Sequence, residues 1–143
     1  MANIQNDMRI KLMENKYDKS LQSIMDENTP TIIGPYVQAM IYGDLVFISG
    51  QIAIDPATGK IPSDIESQVR QAIKNAEIVL KQAGSSLKRA IKVNIYMTDL
   101  DDFPVINRVY QEMFTVSYPA RSCMEVSRLP GGANFEIDIV AAK

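Results

Sequence analysis

Histidine is absent from this 143-residue chain, and cysteine occurs once, at position 123. Those two shortages exclude a Ser-His-Asp triad, a Cys-His pair, a two-histidine acid and base, and a zinc site built from thiolates and imidazoles. Any catalysis must use carboxylates, Arg, Lys, Tyr, the lone thiol, backbone dipoles or water. One cysteine cannot close an internal disulfide, in keeping with a reducing compartment. No apolar run approaches the ~20 residues that cross a bilayer, so no membrane partner is expected. The first twenty residues mix Arg9, Lys11, Lys16 and Lys19 with Asp7, Glu14 and Asp18 and carry no apolar targeting core, which makes the expected location cytoplasmic. Clustered positive charge is also missing. With a net charge of −2 and scattered lysines, the chain lacks the electrostatic footprint of a general nucleic-acid binder, and RNA is not an expected partner.

What is present fits one globular domain: 46% of the residues are apolar and 22% charged. Residues 1–20 read as an N-terminal extension, either a frayed tail or a short amphipathic helix with Ile10, Met13, Tyr17, Leu21 and Ile24 on one side. From residue 21 the pattern tightens. "LQSIM" reads as a short strand, and Pro30, Gly34 and Pro35 punctuate a loop. "VQAMIY" and "LVFIS" are two β-rich runs around Gly43-Asp44, a two-residue hairpin signal, and "DPATGK" is a turn. A helix is expected from about Asp64 to Ala83, with a capping box at Ser63 and Glu66, an apolar face from Ile65 to Ala83 and Gly84 as its left-handed cap. "AIKVNIYM" alternates like a half-buried strand. A second helix starts at Asp101 or Asp102 with Pro104 in its first turn, and its stripe runs Phe103, Ile106, Val109, Tyr110, Met113, Phe114. Strands over about 121–128 and 134–142 follow, joined through Gly131 and Gly132.

The order is β-β-(β)-α-β-α-β-β, an α+β mixed sheet with both helices on one face. Apolar residues at both parities of "FEIDIVAA" (Phe135, Ile137, Ile139 and Val140) call for cover on the other face as well, which two helices cannot supply. Association of subunits through the open sheet face is therefore expected.

The stretch "YPARSCMEVSRLP" sets Arg121 and Cys123 two residues apart, hence on one side of a strand with Glu125 and Ser127, while Ser122, Met124 and Val126 on the other side are expected in the core. Pro119 restricts the chain just ahead of Arg121. A planar, permanently charged guanidinium beside a small side chain suits a carboxylate held by two parallel hydrogen bonds. Glu136 on the next strand is a candidate to orient water. The plainer alternative is an exposed Arg121 paired with Glu125 or Glu136.

In order and spacing, "IGPYVQA", "ISGQI", "DPATGK", "TDLDDF", "INRVY" and "PARSCMEVSRLP" resemble the RidA/YjgF family of enamine/imine deaminases, over residues 21–143. The resemblance implies a RidA-like domain with a chorismate-mutase-like fold, assembled as a homotrimer with clefts between subunits. The implied activity is hydrolysis of 2-imino acids (2-iminobutanoate, 2-iminopropanoate), formed from 2-aminocrotonate or 2-aminoacrylate, to 2-oxo acids and ammonia. It implies no metal and no organic cofactor. Carried onto this sequence, Arg121 would clamp the substrate carboxylate, Glu136 would orient the attacking water, the Gly50 amide and the Cys123 main chain would position the imine, and Tyr36, Ser49 and Asn107 would line or close the cleft. Without the resemblance, Tyr36 could pack a loop, Ser49 satisfy a strand end and Asn107 face solvent. The Cys123 thiol beside a guanidinium is expected either to have a lowered pKa or to serve as a small wall residue. Gly131 stands where many relatives carry Lys, so a less positive cleft rim is expected. The competing activities are an endoribonuclease or translation inhibitor, and a non-catalytic regulator that binds 2-oxo acids.

Overall fold

A computed structural model describes residues 20–25, 27–28, 32 and 34–143. The helix or tail expected before residue 20 lies outside the described residues. Short β-rich runs form β1 (Leu21–Ile24), β2 (Ala39–Tyr42) and β3 (Leu45–Ile48), followed by a two-residue β4 (Gln51–Ile52) that the alternation pattern is too short to reveal. Then come α1 (Ile65–Gln82), β5 (Ala90–Met97), α2 (Phe103–Met113), β6 (Ala120–Glu125) and β7 (Phe135–Ala142). Gly43, at φ 58°, turns the β2-β3 hairpin at the expected place. The sheet runs β1-β2-β3-β7-β5-β6, with β4 also paired to β7. All its pairs are antiparallel except β5 and β6, which α2 joins as a crossover.

The first helix begins one residue later than a Ser63 box predicts: the Asp64 carboxylate accepts from the Ser67 amide at 2.8 Å and is the true N-cap. At the other end Gly84, at φ 80°, lets the Ser85 amide reach the Leu80 carbonyl (2.8 Å) and the Gly84 amide reach that of Lys81 (3.0 Å), which closes the last turn. In front of α2 the Asp102 side chain makes no capping bond; Asp99 instead caps the short turn over 100–102, accepting from the Asp101 amide at 2.9 Å. Both helices lie on one sheet face. Val69, Ala72, Ile73, Ala76 and Leu80 of α1 and Ile106 and Val109 of α2 meet Val93, Ile95, Phe135 and Ile137 of the sheet, all fully buried.

The opposite face is open. It carries Tyr42, Phe47 and Met124, each more than two-fifths exposed, and a polar strip in which Asp138 accepts from Asn94 Nδ2 (2.9 Å) and Tyr96 Oη (3.0 Å). Strand β7 buries Phe135, Ile137, Ile139 and Ala141 toward the helices, while Val140 on the open side is only partly covered. The parity expected for β6 is reversed. Its parallel register places Arg121 beside Val93 and Cys123 beside Ile95 on the helix side, so Ser122 and Met124 face outward rather than into the core. The strand also stops at Glu125, short of residue 128.

Glu66, freed from a capping role, ties the two helices together. Its carboxylate meets Arg70 at 2.9 Å and Arg108 at 2.7 Å, and Glu112 joins both arginines. Hydrogen bonds from Arg108 and then Arg70 draw the Glu66 carboxyl down from 4.5 to about 2. A depressed acid contributes stability that is complete above its unfolded pKa and lost as pH falls through the folded value, so this contribution fades between about 4.5 and about 2. The cluster is solvent-exposed and screened by salt. Glu66→Gln is expected to lower the melting temperature at pH 7 in low salt by a few degrees and to make no difference near pH 2. An equal loss at both pH values in thermal melts would show that the ion pairs are not responsible.

Candidate functional site

Arg121 leaves β6 toward α2 and is held there by three side chains one or two turns apart. Its guanidinium carbon lies 4.7 Å from the centroid of the Tyr110 ring and 5.7 Å from that of Phe103, and Nη2 donates to Asn107 Oδ1 at 2.8 Å. Asn107, open as to role from sequence, is therefore a direct partner of the arginine. Among the described residues Arg121 forms no ion pair, and neither Glu125 nor Glu136 approaches it; Glu125 accepts from the Leu100 amide instead. A half-buried guanidinium without an ion-pair partner is chemically able to hold an anion. It opens onto a cavity of about 370 Å³ lined by Asn107, Tyr110, Gln111, Tyr118, Pro119 and Arg121.

Cys123 sits on the same side of β6, half-buried against the core. Burial pushes its thiol pKa up, and Arg121 and Lys92 only partly offset that. The lowered-pKa expectation is thus overturned: desolvation outweighs the neighbouring charge.

The other sequence candidates gather around a second cavity of about 560 Å³, lined by Tyr36, Ser49, Gly50 and Glu136 together with Ile52, Ile54, Pro130 and Gly131. Ser49 Oγ donates to the Val37 carbonyl at 2.6 Å and so pins the loop that carries Tyr36, itself half exposed. Glu136 lies across Gly50: a Cβ there would stand 1.9 Å from Glu136 Oε1, so any other residue would displace the carboxylate. Burial, and then the Asp138 charge, raise the Glu136 pKa above 4.5. Gly131, at φ 66°, packs against Ile61 and Ile52, so the rim at that point is apolar.

Within one chain the two cavities do not merge. Glu136 pairs with Tyr96 and points to the open face, whereas Arg121 pairs with Val93 and points to the helices. Tyr36, Ser49, Gly50 and Glu136 come together, and so do Asn107, Arg121 and Cys123, but as two halves on opposite sides of the sheet.

Two residues missed in the sequence support the Glu136 half. Asn75 on α1, fully buried, donates through Nδ2 to the carbonyls of Ile52 (3.0 Å) and Ile54 (2.9 Å), and its Oδ1 accepts from Gln71. Gln68, also buried, donates to the Pro62 carbonyl and accepts from the Asn134 amide, each at 2.9 Å. These amides hold the strand and the loop that flank Glu136. Their signal was present: both positions flank the apolar stripe of α1, where a buried amide needs a partner.

Sheet order, helix placement and the glycine under the glutamate define an α+β protein of the RidA type. The family described as Endoribonuclease L-PSP matches residues 26–143. A 2-iminobutanoate/2-iminopropanoate deaminase of Escherichia coli is 38% identical over 125 residues, 85% of this chain and 98% of that protein. A RutC family protein of Pyrococcus horikoshii is 49% identical over 121 residues, 84% and 96% of the two chains. The crystal structure of Escherichia coli TdcF with bound serine superposes with a TM-score of 0.82 at 41% identity, covering 85% of this chain and 98% of that one. The chain belongs to the RidA/YjgF family.

Proposed function

We propose that the protein hydrolyses small 2-imino acids such as 2-iminobutanoate and 2-iminopropanoate to 2-oxo acids, in a homotrimer whose clefts each join the Arg121 half of one subunit to the Glu136 half of the next. The observation that carries this reading is the Arg121 guanidinium, fixed by Asn107 and two rings yet without a carboxylate partner among the described residues. A 2-imino acid supplies that carboxylate. With the anion clamped, water oriented by Glu136 adds to the imine carbon; the C–N bond breaks, ammonia leaves, and the water oxygen becomes the carbonyl of the 2-oxo acid. An imine is already electrophilic, so placing it beside one oriented water supplies much of the acceleration. The Gly50 amide and the Cys123 main chain would position the imine nitrogen, with Tyr36 and Ser49 closing the cleft. The separation of the two halves by the sheet, and the exposed Tyr42, Phe47 and Met124, support a second copy against the open face.

The name of the matched family supports an endoribonuclease reading, but the net charge of −2 and the lack of histidine argue against it. The deciding experiment couples purified protein to a threonine dehydratase and follows 2-oxobutanoate and ammonia. Faster release with the wild type and none of that gain with Arg121→Ala is expected. An equal gain with Arg121→Ala would overturn the assignment, and slow tight binding of 2-oxobutanoate with no turnover would make the protein a regulator.

A further inference from the structure

The geometry points to Tyr110 as the residue that positions Arg121 for anion binding, its ring serving as a π-shelf in the place a structural carboxylate would take. The inference rests on Arg121 as the carboxylate clamp and adds the means by which the clamp is held in place without an ion-pair partner. Three observations converge on it. The guanidinium carbon stands 4.7 Å from the Tyr110 centroid, closer than to Phe103 at 5.7 Å. The ring is itself immobilised: it is 4% exposed, stacks on Phe114 at 4.2 Å between centroids, and has Tyr118 at 6.5 Å on the cavity side. Its hydroxyl oxygen is buried with no hydrogen-bond partner among the described residues.

The last point separates two roles. A tyrosine kept for its hydroxyl would hydrogen-bond; one kept for its ring need not, and pays for the idle oxygen in desolvation. Burial pushes that hydroxyl up to about 12, so it stays protonated and supplies no negative charge to Arg121. A carboxylate at this place would hold the guanidinium more strongly but would also neutralise it and compete with the ligand. The π-face attracts the cation without using its N–H donors, which lie in the guanidinium plane and remain directed outward. Asn107 takes one of these donors as a neutral acceptor and fixes rotation within that plane.

The test is calorimetric binding of 2-oxobutanoate, with turnover measured in parallel. Tyr110→Leu, which keeps apolar bulk and removes the π-face, is expected to weaken 2-oxobutanoate binding about tenfold and raise KM with little change in kcat. The conservative variant Tyr110→Phe restores wild-type affinity and melts at the same or a higher temperature. Pentafluorophenylalanine at position 110, which keeps the shape and reverses the ring quadrupole, weakens binding as Leu does, and this arm decides the question if Tyr110→Leu does not fold. The uncharged 2-oxobutanamide is expected to lose nothing in either variant. Equal binding by the Phe and pentafluoro proteins, or a tenfold loss in Tyr110→Phe, would overturn the shelf. If Arg121→Ala binds 2-oxobutanoate as tightly as wild type, the clamp reading itself fails; if it does not bind while the ring variants are unaffected, only the Tyr110 inference fails.

Discussion

Arg121→Ala and Glu136→Gln proteins, each inactive alone, are expected to regain about a quarter of wild-type 2-iminobutanoate hydrolysis when unfolded together in equal amounts and refolded as mixed trimers. The single losses follow from the chemistry. Two charge-assisted bonds from a guanidinium to a carboxylate are worth roughly 1.5–3 kcal/mol each, so Arg121→Ala should reduce kcat/KM by at least about a hundredfold. If Glu136 orients the attacking water as proposed, Glu136→Gln should lower the rate by about 10²–10⁴. Recovery follows from the sheet. Because Arg121 faces α2 and Glu136 faces the open side, the proposed cleft takes its arginine half from one copy and its glutamate half from another. In a random mixture, half the subunits keep Arg121 and half keep Glu136, and about one interface in four pairs the intact halves. Mixed trimers verified by native mass spectrometry that stay inactive would show that both groups act within one chain, or that one of them has no part in the reaction.

The elements that produce this division were legible to different degrees. Both helices, the Gly43 hairpin and the Gly84 cap announce themselves through period and turn chemistry, which are local properties of the chain. The facing of β6 was not legible. Alternation shows that Arg121 and Cys123 share a side with each other but not which side is the core, and the parallel register with β5 decides it. Seeing Ser122 and Met124 as core was reasonable for an isolated strand and wrong for this one, because α2 brings rings and an amide to receive the arginine. Of the two alternatives open for Cys123, a lowered pKa followed from the neighbouring charge that sequence shows, whereas burial, which sequence does not show, raises it. Residues Tyr36, Ser49, Gly50 and Glu136 were named as a set by resemblance. Their meeting depends on β4, two residues long, which no periodicity can disclose.

The short strand also explains why the largest stability effect should come from a residue with no part in the chemistry. Asn75→Leu removes the single amide nitrogen that satisfies the Ile52 and Ile54 carbonyls, and it takes away the acceptor for Gln71 Nε2. A buried acceptor left without its donor costs about 1–3 kcal/mol, and here there are two, so a loss of roughly 2–6 kcal/mol is expected. For a domain of this size that corresponds to a fall in melting temperature of roughly 6–20 °C, compared at equal protein concentration. Asn75→Asp keeps the size but aims a carboxylate at two carbonyl oxygens, and should be at least as damaging. Gln68→Leu, which frees one carbonyl and one amide at the loop ends, should cost less. Amide exchange measured on Asn75→Leu should accelerate first at residues 51–54 and at Glu136, their partner across the pair, before the β2-β3 hairpin is affected. A variant that melts within about 2 °C of wild type, with unchanged exchange along β4, would mean that water replaces the amide and that α1 does not hold this wall of the cleft.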